Sequence, residues 1–318
     1  MKNIYAVVVT YNGEVDISNC LESIIHSTIP VNIIVVDNAS SDKTIDIVKR
    51  DFSEVKLICL KSNLGFGRAN NIGIKDAYDQ GANHVLLINQ DARVHTNVIE
   101  GLVDQQRLNP VLGVLSPLHL DGTGNKVDTL FAEHFSKSAN MKEVLSNAFL
   151  DGCVPDIYPV EFVNAAIWML SRVCIEKVGL FNPVFEHYGE DMEYADRVRY
   201  HGFKLGVVMR LMAFHNRNQN GTVATPSRYL LQEKALIRYR MSRKSPGTIF
   251  NLFSAFTRIF FSKFSTHDSI QIKLKLSLLA SLFLSMRNVL SRKEVAYRGV
   301  QCFFEDVDRD RKQYLCLD

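Results

Sequence analysis

Ile4-Tyr5-Ala6-Val7-Val8-Val9-Thr10-Tyr11-Asn12 opens the chain with an apolar run that stops abruptly at three polar residues. A run without polar alternation is the mark of a strand buried on both faces. Three more such runs follow, over residues 32–36, 55–60 and 84–88, and amphipathic stretches separate them at roughly 15–27, 42–50 and 66–80. This alternation predicts an α/β fold, a mostly parallel sheet flanked by helices, with ligands at the C-terminal ends of the strands. Ser41 is placed to cap the second helix, and Thr96 a fourth that ends before Pro110.

Beyond Pro110 the pattern changes. Residues 111–120 read as a strand running into the turn Asp121-Gly122-Thr123-Gly124, and 128–159 as a weakly periodic, partly helical excursion. A strand is expected over 161–170, where Asn164-Ala165-Ala166 are small enough to let a ligand approach. A short helix over 171–178 and another over 190–200 follow. From Pro226 the chain reads as helical and basic. One apolar face carries Ile249, Phe253, Phe256, Phe260 and Phe264, and a second carries Ile272, Leu276, Leu279, Phe283, Met286 and Leu290. The alternation Ile270, Ile272, Leu274, Leu276 also fits a strand. A boundary near residue 225 separates residues 1–225 from a helical C-terminal region, 226–318.

Bulk properties narrow the class. The 318 residues are 47% hydrophobic and 22% charged, which is ordinary for a folded domain, and a net charge of +3 gives no ground for nucleic acid as a partner. Six scattered cysteines without a Cys-x-x-Cys pair fit neither a zinc site nor a disulfide framework, so a reducing cytoplasm is expected. The run 4–9 is too short for a signal peptide, and no uninterrupted apolar stretch reaches a membrane span. The expectation is a cytoplasmic protein, soluble or peripheral on the inner face of the membrane.

Four polar clusters stand where a sugar-nucleotide site needs them. Thr10-Tyr11-Asn12 ends the first strand. Val36-Asp37-Asn38-Ala39-Ser40-Ser41-Asp42 ends the second, where Asp37 either accepts from a base or ribose or merely shapes a turn. Asn63-Leu64-Gly65-Phe66-Gly67-Arg68-Ala69-Asn70-Asn71 forms a glycine-rich helix start at which Arg68 can meet a diphosphate, although such turns are common without ligands. Asn89-Gln90-Asp91 follows the fourth strand, and a hard cation held there would offset charge on a leaving diphosphate; the alternative is a turn aspartate.

In this order the clusters resemble family-2 glycosyltransferases of the GT-A fold, and most of all the bacterial rhamnosyltransferase-like branch. The likeness continues through Asn164-Ala165-Ala166, Tyr188-Gly189-Glu190-Asp191 and His215, over the first two thirds of the chain. It implies that Thr10, Tyr11, Asn12 and Asp37 line the nucleoside pocket, with Asn63, Arg68, Asn70, Asn89 and Gln90 around the donor. It further implies that Asp91 and His215 hold a divalent metal, Mg2+ or Mn2+, that Asp191 is the catalytic base and that Glu190 orients the site. The sequence departs at Asn89, where the family's motif begins with an aspartate, so the site has one anionic ligand fewer.

The implied reaction is an inverting transfer from a nucleoside-diphosphate sugar, first of all dTDP-rhamnose and otherwise a UDP-hexose, to a hydroxyl of a bacterial surface glycan whose acceptor can be lipid-linked. A glycine- and arginine-rich loop after the first strand, as a sugar-nucleotide pyrophosphorylase would need, is replaced by Thr10-Tyr11-Asn12-Gly13. A binding module without turnover is disfavoured by the retained Asp91, Glu190, Asp191 and His215. Residues 216–225, polar and poorly anchored, are expected to close as a lid on donor binding. The basic, phenylalanine-rich C-terminal region either docks on an anionic bilayer or packs as a helical bundle on the catalytic domain or a second subunit.

Overall fold

A computed structural model describes residues 3–150, 155–217, 226–245, 247–261 and 268–315. In chain order the elements are β1 (Ile4–Thr10), α1 (Ile17–Ile25), β2 (Asn32–Asp37), α2 (Thr44–Asp51), β3 (Lys56–Cys59), α3 (Phe66–Asp79), β4 (His84–Asn89), β5 (Ala92–Val94), α4 (Val98–Leu108) and β6 (Leu112–Asp121). Then come α5 (Thr129–Ser138), α6 (Met141–Phe149), β7 (Ile157–Val160), β8 (Ile167–Ser171), α7 (Arg172–Val178), α8 (Glu190–Tyr200), β9 (Lys204–His215), α9 (Pro226–Ser242), α10 (Thr248–Phe261), α11 (Asp268–Arg298) and α12 (Phe304–Tyr314).

The strands form one mixed sheet in the order β3-β2-β1-β4-β8-β6-β9-β5, with β7 also on β9. β3, β2, β1 and β4 are mutually parallel, and the order reverses between β1 and β4, so the ligand crevice belongs at their C-terminal ends. Alternate residues of the parallel strands feed two cores. Ala6, Val8, Val35 and Leu86 pack under α1 and α4, whereas Val7, Val36, Val85 and Leu87 pack under α3 and the α7–α8 segment. Each fully buried aliphatic side chain contributes roughly 1.5–3 kcal/mol.

The βαβ alternation and the helix over 190–200 are as read from sequence. Three local expectations are corrected. Ser41 and Thr96 cap nothing: the residues before α2 and α4 are Lys43 and Asn97, neither with a side-chain cap. The strand expected over 161–170 is two short strands with a loop over 161–166. β7 pairs with β9 while β8 pairs with β4 and β6, so the chain must leave the sheet to change neighbours. Residues 272–276 are helical, inside α11.

In the C-terminal helices the two apolar faces read from sequence are largely outward, although Leu279 and Met286 pack against the buried cluster. Ile249, Phe253, Phe256, Ile272, Leu276 and Phe283 are exposed, and Ala255, Ile259, Leu278, Leu282 and Val289 are buried instead. These helices carry apolar residues on more than one face, so spacing alone does not say which stripe is buried. Phe264 lies outside the described residues, as does the side chain of Phe260. Although no uninterrupted apolar run reaches that length, the helix over Ile272–Arg298 is long and apolar enough to cross a membrane by length and composition, and only 17% of its most apolar window is buried.

Candidate active site

The β1–β2 register sets Thr10 beside Asp37 at the crevice. Thr10 Oγ1 donates to Gln90 Oε1 at 2.6 Å, and the Tyr11 N–H donates to the same oxygen at 2.8 Å, so Gln90 straps the end of β1 to the end of β4. Asn12, at φ 50°, accepts from the Ser41 N–H through Oδ1, and its own N–H donates to Ser40 Oγ. Asp37 is fully buried: its Oδ2 accepts from the Ser40 N–H, and its Oδ1 has no partner among the described residues. A buried carboxylate oxygen without a donor is costly, and a base or ribose donor would satisfy it. Asn38, which drew no role from sequence, proves to be a hub. It donates to Asn63 Oδ1 and accepts from the Leu64 N–H.

The glycine-rich segment does different work from that expected. Arg68 does not face a phosphate site. Its Nε and Nη2 donate to Asp310 of α12 at 3.0 and 2.5 Å, and its guanidinium lies over the Tyr314 ring. Asn70 is buried and donates to the Phe66 carbonyl inside α3, and Asn63 is spent on Asn38 and the Gly65 N–H. Gly65, at φ +81°, is pressed against the Glu186 carbonyl, and a Cβ on Gly67 would meet Phe181 and Glu190 at 3.2–3.4 Å. The glycines therefore let the segment before α8 lie on the start of α3. Asn71 fastens it with a reciprocal pair of 2.8 Å bonds to the Phe181 backbone.

That segment delivers Glu190 and Asp191 to the first turn of α8, behind Gly189 in the left-handed region. The helix is anchored by the fully buried pair Glu193–Arg197 at 2.9 Å, whose guanidinium also caps the Val178 and Leu180 carbonyls. Glu190 is 6% exposed, and its Oε2 has no partner among the described residues. Burial, then the adjacent Asp191 charge, pushes its carboxyl up to about 8. Burial also raises the Asp191 carboxyl, opposed by the N–H groups of Met192 and Ala165 and by His134. The two acids border a cavity of about 530 Å³ whose other walls include Asn89, His134, Asn164 and Arg217. Burial lowers His134 below the usual histidine range, with Asp191 acting against it.

Asp91 and His215 meet, with Oδ1 and Nε2 3.2 Å apart. The β5–β9 pairing causes this, because Ala92 sits opposite His215. His119, buried and kept neutral first by burial and then by His215, stands behind with its ring centroid 6.2 Å away. Asp91 opens not on the Asp191 cavity but on a neighbouring one of about 220 Å³, with Asp16, Asn19, Arg93 and Asn216. The sequence reading put Asp91, His215 and Asp191 around one cleft; Asp91 and Asp191 instead line adjacent cavities. The partition carries 89–91 and 216–217, since Asn89 and Arg217 face one side while Asp91 and Asn216 face the other. Among the described residues no three His, Cys, Asp or Glu side chains cluster as a metal site. Of the expected lid, residues 218–225 lie outside the described residues.

Sequence reasoning passed over His134 and Arg217. His134 sits in the weakly periodic excursion, where no motif marks it. Arg217 lies two residues past His215 and pairs with Asp128 at 3.0 Å.

Residues 5–154 match the family model described as Glycosyl transferase family 2. The dTDP-rhamnosyl transferase RfbF of Shigella flexneri is 38% identical over 104 residues, which is 31% of this chain and 33% of that protein. The N-acetylglucosaminyl-diphospho-decaprenol L-rhamnosyltransferase of Mycobacterium tuberculosis (strain CDC 1551 / Oshkosh) is 26% identical over 211 residues, 60% of this chain and 69% of that protein. The match thus spans only a third of the first relative. The crystal structure of GalNAc-T7 with UDP, GalNAc and Mn2+ superimposes with a TM-score of 0.61 at 15% identity, over 94% of this chain and 58% of that one. Likeness at that identity speaks for the fold alone. With the strand-end motifs, the parallel half-sheet and the matched segment in agreement, residues 5–154 of this chain form a glycosyl transferase family 2 domain, and the chain has the GT-A fold.

Proposed function

We propose that the chain is an inverting glycosyltransferase that moves a sugar from a nucleoside-diphosphate donor to an acceptor hydroxyl. The observation that carries this reading is the Glu190–Asp191 pair, two acids of unequal environment at a helix start, facing a 530 Å³ cavity beside the nucleoside end of the crevice. An acceptor hydroxyl is a poor nucleophile near neutral pH and needs a carboxylate to take its proton as the new bond forms. With Glu190 retaining its proton to about pH 8, the negative charge of the pair rests on Asp191. Asp191 accepts the acceptor's proton, and attack opposite the diphosphate inverts the anomeric carbon. His134 lines the same cavity as Asp191.

Thr10, Tyr11, Asn12 and the free Oδ1 of Asp37 hold the nucleoside. Arg217, which lines the cavity, takes the phosphate-facing part that the sequence reading gave to Arg68. A carboxylate oxygen and an imidazole nitrogen 3.2 Å apart suit a divalent cation, Mg2+ or Mn2+, which Asp91 and His215 would hold. Bound to Asp91 and His215, such a cation would neutralise charge on the departing diphosphate.

Rhamnose from dTDP-rhamnose is the first donor to test, because both curated relatives described above carry rhamnosyl transfer in their names. The decaprenol in one of those names makes a lipid-linked glycan the first acceptor class. The UDP held by the solved GalNAc-T7 keeps UDP-hexoses as the second reading. A donor panel scored by nucleoside-diphosphate release is the test. Asp191→Asn is expected to lower kcat by roughly 10²–10⁴-fold with donor binding intact. An Asp191→Asn protein turning over at the wild-type rate would remove the base, and no release with any donor would remove the reading.

A further inference from the structure

We infer that the outer faces of α10 and α11 dock the protein on an anionic lipid surface, with both helices lying in its plane. On α10, Ile249, Phe250, Phe253 and Phe256 are exposed, and on α11 Ile272, Leu276, Phe283 and Leu284 are exposed. The two helices pack on one another and on α9, and their inner faces (Ala255, Ile259, Leu278, Leu282, Val289) are already filled with protein. The outer stripes are thus left over after the bundle is complete. A monomeric soluble surface rarely leaves four aromatic rings and four large aliphatic side chains out on two adjoining helices.

Charge selects the occupant. Residues 226–298 hold 14 Lys and Arg against 3 Asp and Glu. Lys273, beside Ile272, and Arg287, one turn beyond Phe283, are exposed and make no ion pair among the described residues. Apolar rings flanked by unpaired cations are the composition of a helix that lies at an anionic headgroup boundary. A second copy of this chain would bring the same excess of positive charge to the contact, which opposes pairing through this face.

Although α11 is long enough to cross a bilayer, its C-terminal half is tied to protein. Arg292 pairs with Asp306 at 2.7 Å, Lys293 donates to Thr248 at 3.1 Å, and Ala296 and Tyr297 lie in the catalytic core. Spanning would tear these contacts out, whereas lying flat leaves them intact. Docking here stands apart from the proposed chemistry, and its test needs no turnover.

The full chain is mixed with extruded vesicles of phosphatidylcholine alone, or with roughly one third phosphatidylglycerol, and sedimented. Preferential partition onto the phosphatidylglycerol vesicles is expected. Partition should fall at least about tenfold in the quadruple variant Phe253→Ser, Phe256→Ser, Ile272→Ser, Leu276→Ser, and several-fold in Lys273→Glu with Arg287→Glu. Since all six positions are solvent-facing, circular dichroism and melting temperature should stay at wild-type values, which separates lost docking from lost folding. Equal partition of wild type and the quadruple variant would overturn the proposal. So would absence of wild-type binding to anionic vesicles. Lipid-free dimerisation abolished by the quadruple variant, without vesicle binding, would give the face to a second copy.

Discussion

At the scale of the residue, Glu190 is the most informative side chain in the molecule. Its carboxyl is pushed to about 8 by burial and by Asp191, far above its ordinary 4.5. The folded state therefore prefers the protonated form. That preference adds stability below about pH 4.5 and is withdrawn progressively as pH climbs through 8. Wild-type melting temperature should accordingly fall between pH 5 and pH 8, and Glu190→Gln, which cannot ionise, should fall by roughly 3 °C less over the same range. Parallel melting curves for the two proteins would contradict the buried-acid picture. The site was only partly legible at this scale. Asp191 and Glu190 stood out because an acidic pair opens a helix, and Asp91 because it ends an apolar strand. Arg68 misled, because a cation at a helix start looks the same whether it awaits a phosphate or a carboxylate 242 positions away. His134 gave no signal at all, since its place comes from lining one cavity with Asp191, which local sequence does not describe.

At the scale of the element, α3 and the segment before α8 explain why the chain has glycines where it does. Gly65 and Gly202 have nearly the same positive φ, +81° and +84°, but Gly65 is jammed against the Glu186 carbonyl whereas Gly202 has nothing within 4 Å. Comparing alanine at the two positions isolates the close approach from the backbone strain that both share. Gly202→Ala should cost about 1 kcal/mol and leave turnover unchanged. Gly65→Ala should cost about 1–3 kcal/mol more and also depress kcat, because the segment it displaces carries Glu190 and Asp191. Equal denaturation midpoints and equal rates in the two variants would refute this coupling. The parallel strands were readable because burial on both faces writes itself as an unbroken apolar run. The loop over 161–166 was not, because a chain changing sheet neighbours keeps its apolar character while it leaves the ladder. The C-terminal helices were legible as helices, but whether their apolar stripes face protein or not was left open, because which stripe is buried depends on what α9 presents to them.

At the scale of the whole molecule, the end of the chain returns to its beginning. Residues 1–225 were expected to stand as a unit, with 226–318 as an appendage. Yet Ala296, Tyr297, Cys302, Phe303, Phe304 and Val307 belong to the same core as Val7, Val36 and Leu87, and Leu315 bridges to Leu60 beyond β3. α12 thus packs on α3 over one face of the sheet, and the Arg68–Asp310 pair is its polar fastening, with side-chain exposures of 24% and 12%. A pair this far from solvent sits between the surface case, where little is gained, and the buried case, where a stranded charge is costly. Asp310→Ala and Arg68→Ala should each lose about 1–2 kcal/mol, and the double variant should lose less than their sum, since the second substitution removes a charge already without its partner. A donor-binding Arg68 would behave differently, raising the donor KM when replaced by alanine while Asp310→Ala left it alone. The geometry calls for the opposite: stability falls in both variants, and the donor KM stays within about twofold of wild type in each, because neither side chain meets the donor. Steady-state kinetics beside urea denaturation of the three proteins separates these outcomes. A selective rise in KM for Arg68→Ala would return that residue to the donor site and make α12 a shutter over it rather than a fastening.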